Sequence, residues 1–187
     1  MEPIKVIRED KYTIKIKYDE VQESPREWDN LSKMICFHKR YRLGDYNCYN
    51  QDAYNDWDEL EQDIMESENV RYISPLYMYE HSGIAIRMSP FGDRFDSGQI
   101  GFVYVTVEDA QQLSDEQILN SLNSEIETYN AYLNGDVYYY SIYEEQVCNL
   151  GCTHEEFVDS CGCYYDIDHC IAEAKEQIKY YQTQGVL

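Results

Sequence analysis

The chain has 187 residues, 43% of them hydrophobic, which is enough to build a core and excludes an intrinsically disordered protein. Its 36 carboxylates against 15 lysines and arginines give a formal net charge of −21. Such a field disfavours direct binding of nucleic acid or of anionic membranes, and it favours a basic protein partner reached by electrostatic steering.

Hydrophobic alternation predicts several strands in the first half of the chain. Ile14, Ile16 and Tyr18 alternate with lysines and indicate a half-buried strand that starts at Tyr12. "KMICFHKRY" is typical of a second strand. "VRYISPLYMYEHSGIAIRM" predicts two strands joined at residues 81–83, and "SGQIGFVYVT" predicts a strongly apolar, central strand.

The second half combines two predicted helices with a further strand. Ser114 and Gln117 have the spacing of a capping box, and Asn134-Gly135 ends the helix that it starts. "DVYYYSIYEE" predicts a strand, residues 148–163 a cysteine-rich loop, and Asp168 the cap of a last helix. Because the strands come in runs, we predict an α+β fold over residues 1–187: a single domain with a mostly antiparallel sheet and about three helices.

One short segment concentrates negative charge. Residues 52–68, "DAYNDWDELEQDIMESE", contain eight carboxylates and neither lysine nor arginine. Trp57, Leu60 and Ile64 have helical spacing, which predicts a helix over residues 52–67. A neighbouring face carries carboxylates about 5 Å apart along the axis, at Asp52, Asp56, Glu59, Asp63 and Glu66. This face is either a solvated surface of an acidic protein or a surface that meets a positively charged partner, and we predict the second.

A second acidic region combines carboxylates with tyrosines. Residues 95–174 contain sixteen carboxylates and no lysine or arginine. Within this region, "NAYLNGDVYYYSIYEE" predicts a strand that exposes amphipathic rings beside carboxylates on one face, a composition suited to arginine-rich protein surfaces. We therefore predict further partner-binding residues at Asp136, Tyr139, Tyr143, Glu144 and Glu145.

Five of the seven cysteines lie between residues 148 and 170. Two pairs of thiols with short spacings can supply the four ligands of a tetrahedral zinc ion, with His154 or Cys170 as alternates. The spacing is looser than in a CxxC…CxxC ribbon, so reduced cysteines in a loop are the preferred interpretation. We predict no cofactor, with a structural zinc as the alternative at Cys148, Cys152, Cys161 and Cys163.

Two other groups of residues are interpreted as structural. The basic island (Lys33, Lys39, Arg40 and Arg42) can contact phosphate or form internal salt bridges, and the net charge favours salt bridges. Ser82 and Ser97 each precede a glycine, but neither lies in a GxSxG elbow, and His81 and Ser82 are adjacent in a turn. No Walker A or dinucleotide motif is present. We predict no catalytic residue and no enzymatic activity.

Three stretches carry a resemblance to a known family: "SPREWDNLSKMICFHKRYRLGD", "YMYEHSGIAIRMSPFGDRFDSGQIGFVYVT" and "IETYNAYLNGDVYYYSIYEE". They resemble a widespread set of small acidic proteins of phages, prophages and plasmids, over about half of the chain. After Asp159 that family tends towards Trp-Gly-Phe, whereas this chain continues Ser-Cys-Gly-Cys. Residues 52–68 lie outside the three stretches that carry the resemblance. The resemblance implies a mobile-element setting, and members of the family look similar to anti-CRISPR inhibitors of Cas9-type nucleases.

Charge and resemblance together predict a counter-defence inhibitor. The expected partner is a basic host protein, a CRISPR nuclease such as Cas9 with or without its guide RNA, whose positively charged channel holds nucleic acid. An antirestriction DNA mimic and a small metal-dependent enzyme are the alternatives. The start of the chain lacks an apolar signal region and no run of about 18 apolar residues occurs. We therefore expect a cytoplasmic protein that does not bind membranes.

Overall fold

The computed structural model describes residues 2–93 and 95–184. The strands in this part of the chain are β1 Lys5–Glu9, β2 Tyr12–Tyr18, β3 Lys33–Cys36, β4 Val70–Glu80, β5 Ile84–Arg87, β6 Ser97–Thr106, β7 Tyr138–Val147 and β8 Thr153–Tyr164. The helices are α1 Trp57–Ser67, α2 Val107–Ala110, α3 Asp115–Asn134 and α4 Ile167–Gln184, with 3-10 helices at Pro25–Glu27 and Gln51–Ala53. The contacts divide these residues into two compact units, 2–23 with 131–184, and 24–130.

The first unit, residues 2–23 and 131–184, is a four-stranded antiparallel sheet covered by a helix. Its strand order is β1-β2-β7-β8. Ile14 pairs with Ile142 and Ile16 with Tyr140, so the apolar side chains of β2 and β7 share one face. α4 packs on this face, and its buried residues are Cys170, Ile171, Ala174 and Ile178. Removal of these side chains from water stabilises the unit.

The second unit, residues 24–130, has another antiparallel sheet, in the order β3-β6-β4-β5. β6 is an interior strand, as its apolar sequence predicts. Leu60 and Ile64 of α1 are buried in one cluster with Phe102 of β6, and the Trp57 ring meets the Phe102 ring edge-on at 5.9 Å. α3 buries one stripe of side chains, which is the predicted one: Ile118, Leu122, Ile126 and Tyr129.

Both ends of α3 follow from local sequence signals. Ser114 N donates to Gln117 Oε1 at 2.9 Å, and Gln117 N donates to Ser114 Oγ at 3.3 Å, so the predicted capping box forms. At the other end Gly135 adopts a φ of 73°, a left-handed conformation that favours glycine. Asp136 N then donates to the carbonyl of Ala131 at 2.8 Å, which completes a Schellman cap.

The predicted α+β class is confirmed, with two corrections to its arrangement. The described strands form two four-stranded antiparallel sheets rather than one sheet. The predicted loop over residues 148–163 is wrong, because residues 153–164 form β8 and pair with β7 along its length. The single domain over 1–187 stays a prediction, since the contacts group the chain into two units.

Two helix starts differ from the predicted ones. The acidic helix begins at Trp57 and not at residue 52, because Asp56 caps it and Asp52 lies in the preceding 3-10 helix. The last helix is capped by Asp166 rather than Asp168, since Asp166 Oδ1 accepts a hydrogen bond from His169 N at 2.6 Å.

Candidate functional site

The acidic segment, residues 52–68, presents most of its carboxylates to solvent. Leu60 and Ile64 are buried, whereas the exposed carboxylates are Asp52, Asp56, Asp58, Glu59 and Glu66. Among the described residues, no lysine or arginine forms an ion pair with any carboxylate of this segment. The carboxylates of the segment therefore form no ion pair with a described lysine or arginine, although Asp52 lines one cavity with Lys39 and Arg42.

Three of the predicted binding carboxylates hold the start of α1 together. Asp56 accepts a hydrogen bond from Glu59 N at 3.0 Å, and Glu59 accepts one from Asn55 N at 2.7 Å. Asp63, which is half-buried, accepts one from the Tyr54 hydroxyl at 2.5 Å. This hydrogen bond is the largest cause that raises the pKa of Tyr54 to about 12. These three side chains therefore stabilise local structure and do not form one uniform face with Asp52 and Glu66, as the predicted helix over residues 52–67 required.

The other exposed carboxylates of the segment are free of such roles. Within the described structure, the carboxylates of Asp52 and Asp58 accept no hydrogen bond, and Glu66 accepts one from the exposed Gln62 at 2.9 Å. Asp58 also lies in the first turn of α1, where the helix dipole favours negative charge. We call Asp52, Asp58 and Glu66 the acidic set, because a partner can contact them without disturbing the fold.

The second predicted binding region is partly neutralised by lysines of β2 and the turn before it. Glu144 pairs with Lys11. Lys15 lies 4.2 Å from the centroid of the Tyr143 ring and pairs with Glu155 of β8. The strand alternation places Tyr139, Tyr143 and Glu145 on the face opposite Tyr140 and Ile142, and Asp136 is exposed in the turn before β7. The region therefore carries less free charge than the acidic segment.

A buried ion cluster formed by Arg26, Asp45 and Glu125 holds the second unit together. The Arg26 side chain is only 4% exposed. Its guanidinium donates to Asp45 at 2.7 Å and 2.8 Å, to Glu125 at 3.0 Å and to the carbonyl of Ser32 at 2.7 Å. Burial alone lowers the pKa of Arg26, but the hydrogen bonds and charges of the two carboxylates outweigh burial and raise it. The guanidinium therefore stays charged and satisfied inside the unit.

The same cluster fixes the long connection between β3 and α1. Asp45 Oδ2 also accepts from Met34 N at 2.8 Å, and Gly44 N donates to the Tyr129 hydroxyl at 2.9 Å. Gly44 has a φ of 70°, and a Cβ there would lie 2.5 Å from the carbonyl oxygen of Met34. Sequence reasoning missed this cluster. The one indication of the cluster in the sequence was that Arg26, Gly44 and Asp45 belong to a stretch that carries the resemblance, within its motifs "SPREWDN" and "LGD".

In the basic island, Arg40 forms an ion pair, whereas Lys39 and Arg42 line a cavity. Arg40 pairs with Glu80, which also accepts from the Tyr41 hydroxyl at 2.7 Å, so the predicted internal salt bridge forms at this arginine. Lys39 and Arg42 are exposed and form no ion pair with described residues. They line a cavity of about 1400 Å³ together with two aromatic side chains that are almost fully exposed, Tyr46 and Phe95.

The four cysteines predicted as alternative zinc ligands are not brought together. Cys148 and Cys152 flank the turn between β7 and β8, whereas Cys161 pairs with Tyr140 near the other end of the hairpin. Residues 152 and 161 are nine positions apart, a separation of about 30 Å in an extended strand. One ion cannot bind both pairs. Within residues 2–93 and 95–184, no three His, Cys, Asp or Glu side chains are placed to hold a metal.

The turn residues considered for catalysis have local hydrogen bonds. Ser82 Oγ donates to the carbonyl of His81 at 2.6 Å, and Ser97 Oγ donates to the carbonyl of Asp93. His81 Nδ1 lies 3.5 Å from Asp96 Oδ2. Ser82 has a φ of 56°, as expected in the predicted turn between β4 and β5. These serines therefore stabilise turns, because their hydroxyls donate to main-chain oxygens.

No known protein family, curated protein or solved structure matches the chain. In the described part of the chain, each helix is too short or too polar to cross a membrane.

Proposed function

We propose that the protein is a mobile-element-encoded inhibitor that binds a nucleic-acid-handling enzyme of the host through its acidic surface. The proposed partner is a CRISPR nuclease of the Cas9 type. One observation carries this proposal: the acidic segment exposes carboxylates with which no lysine or arginine of the described residues forms an ion pair. The resemblance to phage and plasmid proteins agrees with it but is independent of the charge.

The physical basis is competition for a positively charged channel. Cas9-type nucleases hold nucleic acid in such a channel and contact mainly its backbone. A folded backbone that carries Asp52, Asp58 and Glu66 supplies negative charge without the cost of ordering a flexible chain. Long-range attraction between the net charge of −21 and a basic surface also accelerates association with the partner. Inhibition of this kind requires no catalytic group in the inhibitor.

The test compares two charge-reversed variants with the same net charge. The first reverses the acidic set with Asp52→Lys, Asp58→Lys and Glu66→Lys. The matched control reverses three exposed carboxylates elsewhere in the second unit with Glu108→Lys, Glu116→Lys and Glu127→Lys. Glu116 lies in the first turn of α3 as Asp58 does in α1, so the dipole contributions of these two positions are matched.

The readout is cleavage of target DNA by a Cas9-type nuclease, with the inhibitor added before or after guide RNA. We expect the parent and the control variant to inhibit cleavage and the acidic-set variant to inhibit much less. Equal inhibition by the two variants contradicts a role for the acidic segment. Inhibition of a restriction or modification enzyme instead of the CRISPR nuclease supports the antirestriction alternative, since both partners present basic channels.

A second candidate function is binding of a small anionic ligand in the cavity of the second unit. It is favoured by Lys39 and Arg42, which are exposed without ion-pair partners among the described residues, beside the exposed rings of Tyr46 and Phe95; Asp52 and Asp96 line the same cavity and oppose an anion. Ligand sites commonly combine such apolar rings with a few charged groups. Calorimetric titration with ATP and with inorganic phosphate tests this function. Arg42→Glu abolishes any binding that uses the cavity, and binding that survives this change lies elsewhere.

A further inference from the structure

The turn between β7 and β8 places two cysteines opposite each other. Cys148 N donates to the carbonyl of Cys152 at 2.8 Å, and Gly151 N donates to the carbonyl of Cys148 at 2.9 Å. Gly151 has a φ of 78°, so residues 149–151 form a three-residue hairpin turn that ends in a left-handed residue. Opposed residues of antiparallel strands have Cα atoms about 4.5–5.5 Å apart. This separation lies within the range of about 4.4–6.8 Å that a disulfide requires.

The Cys148 sulfur accepts a hydrogen bond from the main chain of the turn. Cys152 N donates to Cys148 Sγ at 3.3 Å. Cys148 is half-buried and Cys152 is exposed, so reagents in solution can reach the pair. Hydrogen bonds from Leu150 and Cys152 lower the pKa of the Cys148 thiol below its ordinary value. Such an environment favours the thiolate, which is the reactive form of cysteine.

We propose that Cys148 and Cys152 form a thiol–disulfide exchange site that reacts with low-molecular-weight disulfides of the glutathione class. The Cys148 thiolate attacks one sulfur of the disulfide, which forms a mixed disulfide and releases one thiolate. Cys152 loses its proton to solvent and attacks Cys148 Sγ. This second step forms the Cys148–Cys152 bond and releases the second thiolate, which is protonated. One small disulfide is thereby reduced to two thiols, and the protein dithiol is oxidised by two electrons.

The remaining cysteines provide internal controls. Cys170 is buried and Cys36 is half-buried, and burial raises the pKa of each thiol to about 12. Cys161 and Cys163 form a second closely spaced pair and are exposed, as is the single Cys48. Burial and the neighbouring Asp19 and Glu23 carboxylates raise the pKa of Cys163, which disfavours its thiolate. The two pairs thus differ in sulfur environment more than in accessibility.

The test is incubation of the reduced full-length protein with oxidised glutathione, followed by alkylation and mass spectrometry. We expect a mass loss of two hydrogen atoms, with the bond mapped to Cys148 and Cys152, before Cys161 or Cys163 reacts. In Cys152→Ser the mixed disulfide has no second thiol to resolve it, so one glutathionyl group accumulates on Cys148. Cys148→Ser is the control and acquires no glutathionyl group on Cys152 in the same time.

Two results overturn the proposal. One is the absence of a Cys148–Cys152 bond in the parent when Cys161 or Cys163 has already reacted. The other is glutathionylation of the two serine variants at equal rates. Thermal unfolding verifies that both variants fold. If either variant is unfolded, the position of the disulfide mapped in the parent protein decides whether the proposal stands. This site is independent of the proposed inhibitory function, because the reaction requires no partner protein.

Discussion

Replacing Arg26 by methionine tests how the second unit is held together. The substitution keeps an apolar side chain of similar length but removes four hydrogen bonds and the only cation of the Arg26, Asp45 and Glu125 cluster. Removal of one partner from a buried ion pair typically costs about 3–5 kcal/mol, because the other charge stays buried without compensation.

The structure places the expected loss near the lower end of that range. Asp45 keeps its hydrogen bond from Met34 N, and Glu125 keeps those from Leu31 N and the Ser32 hydroxyl. The two carboxylate side chains are also 22% and 14% exposed, so solvent stabilises part of their charge. We expect Arg26→Met to lower the free energy of unfolding by about 3 kcal/mol.

Urea denaturation followed by tryptophan fluorescence measures this loss. Both tryptophans of the chain, Trp28 and Trp57, lie in the second unit, so the signal reports the unit that contains the cluster. With an m-value of about 2 kcal/mol/M, the midpoint falls by about 1.5 M. Arg40→Met is the matched control, because its ion pair with Glu80 has a 67% exposed arginine and contributes about 1 kcal/mol or less. Equal midpoints for the two variants would refute the role of the cluster.

Three further predictions concern the acidic segment, the β3–α1 connection and alkaline pH. Reversal of the carboxylates that hold the start of α1, Asp56, Glu59 and Asp63, lowers the free energy of unfolding by about 1–2 kcal/mol. Reversal of the acidic set changes it by less than about 0.5 kcal/mol, because the loss at Asp58 in the first turn of α1 is offset by the gain at Glu66 in the last turn. Gly44→Ala costs about 1–3 kcal/mol in the same assay, because its φ is 70° and the new Cβ meets the Met34 carbonyl. The hydrogen bond to Asp63 raises the pKa of Tyr54 from 10 to about 12, so its contribution to stability is complete below pH 10 and is lost as pH rises through 12. Thermal unfolding of the parent and Tyr54→Phe between pH 9 and 12 measures this loss, which the variant lacks.

Each of these predictions has a contrary result. Equal unfolding midpoints for the two reversal variants would remove the structural role of Asp56, Glu59 and Asp63. An unchanged midpoint for Gly44→Ala would mean that the β3–α1 connection relaxes around the new methyl group. A Tyr54→Phe protein that loses stability above pH 10 as steeply as the parent would assign the alkaline loss to other groups, such as Tyr49, whose pKa burial and Glu68 raise to about 12.

The parts of the fold that could be predicted from sequence depend on local signals. Alternating side chains identified β2 and β7, and the capping box and Gly135 identified both ends of α3. The strand β8 was missed because its side chains are mostly exposed and its sequence contains two cysteines beside a glycine. Its conformation depends on pairing with β7, which local periodicity does not report.

For the candidate site, the sequence predicted which residues are present but not how they are arranged. The concentration of carboxylates in residues 52–68 is evident in the sequence, but their separation into capping residues and free residues depends on where α1 begins. The ion cluster joins Arg26 to residues 19 and 99 positions away, and no pattern in the sequence indicates such a contact. The cavity is likewise formed by a long connection whose path depends on that cluster.

The association rate with a Cas9-type nuclease, measured at increasing salt concentration, tests the central claim most directly. The parent and the Glu108, Glu116 and Glu127 control variant should associate rapidly at low salt and more slowly as the Debye length falls from about 10 Å at 0.1 M to about 3 Å at 1 M. The variant with reversed Asp52, Asp58 and Glu66 should associate slowly at every salt concentration, with a weaker salt dependence. If this variant associates as fast as the control over the whole range, the acidic segment is a solvated surface and does not steer the partner.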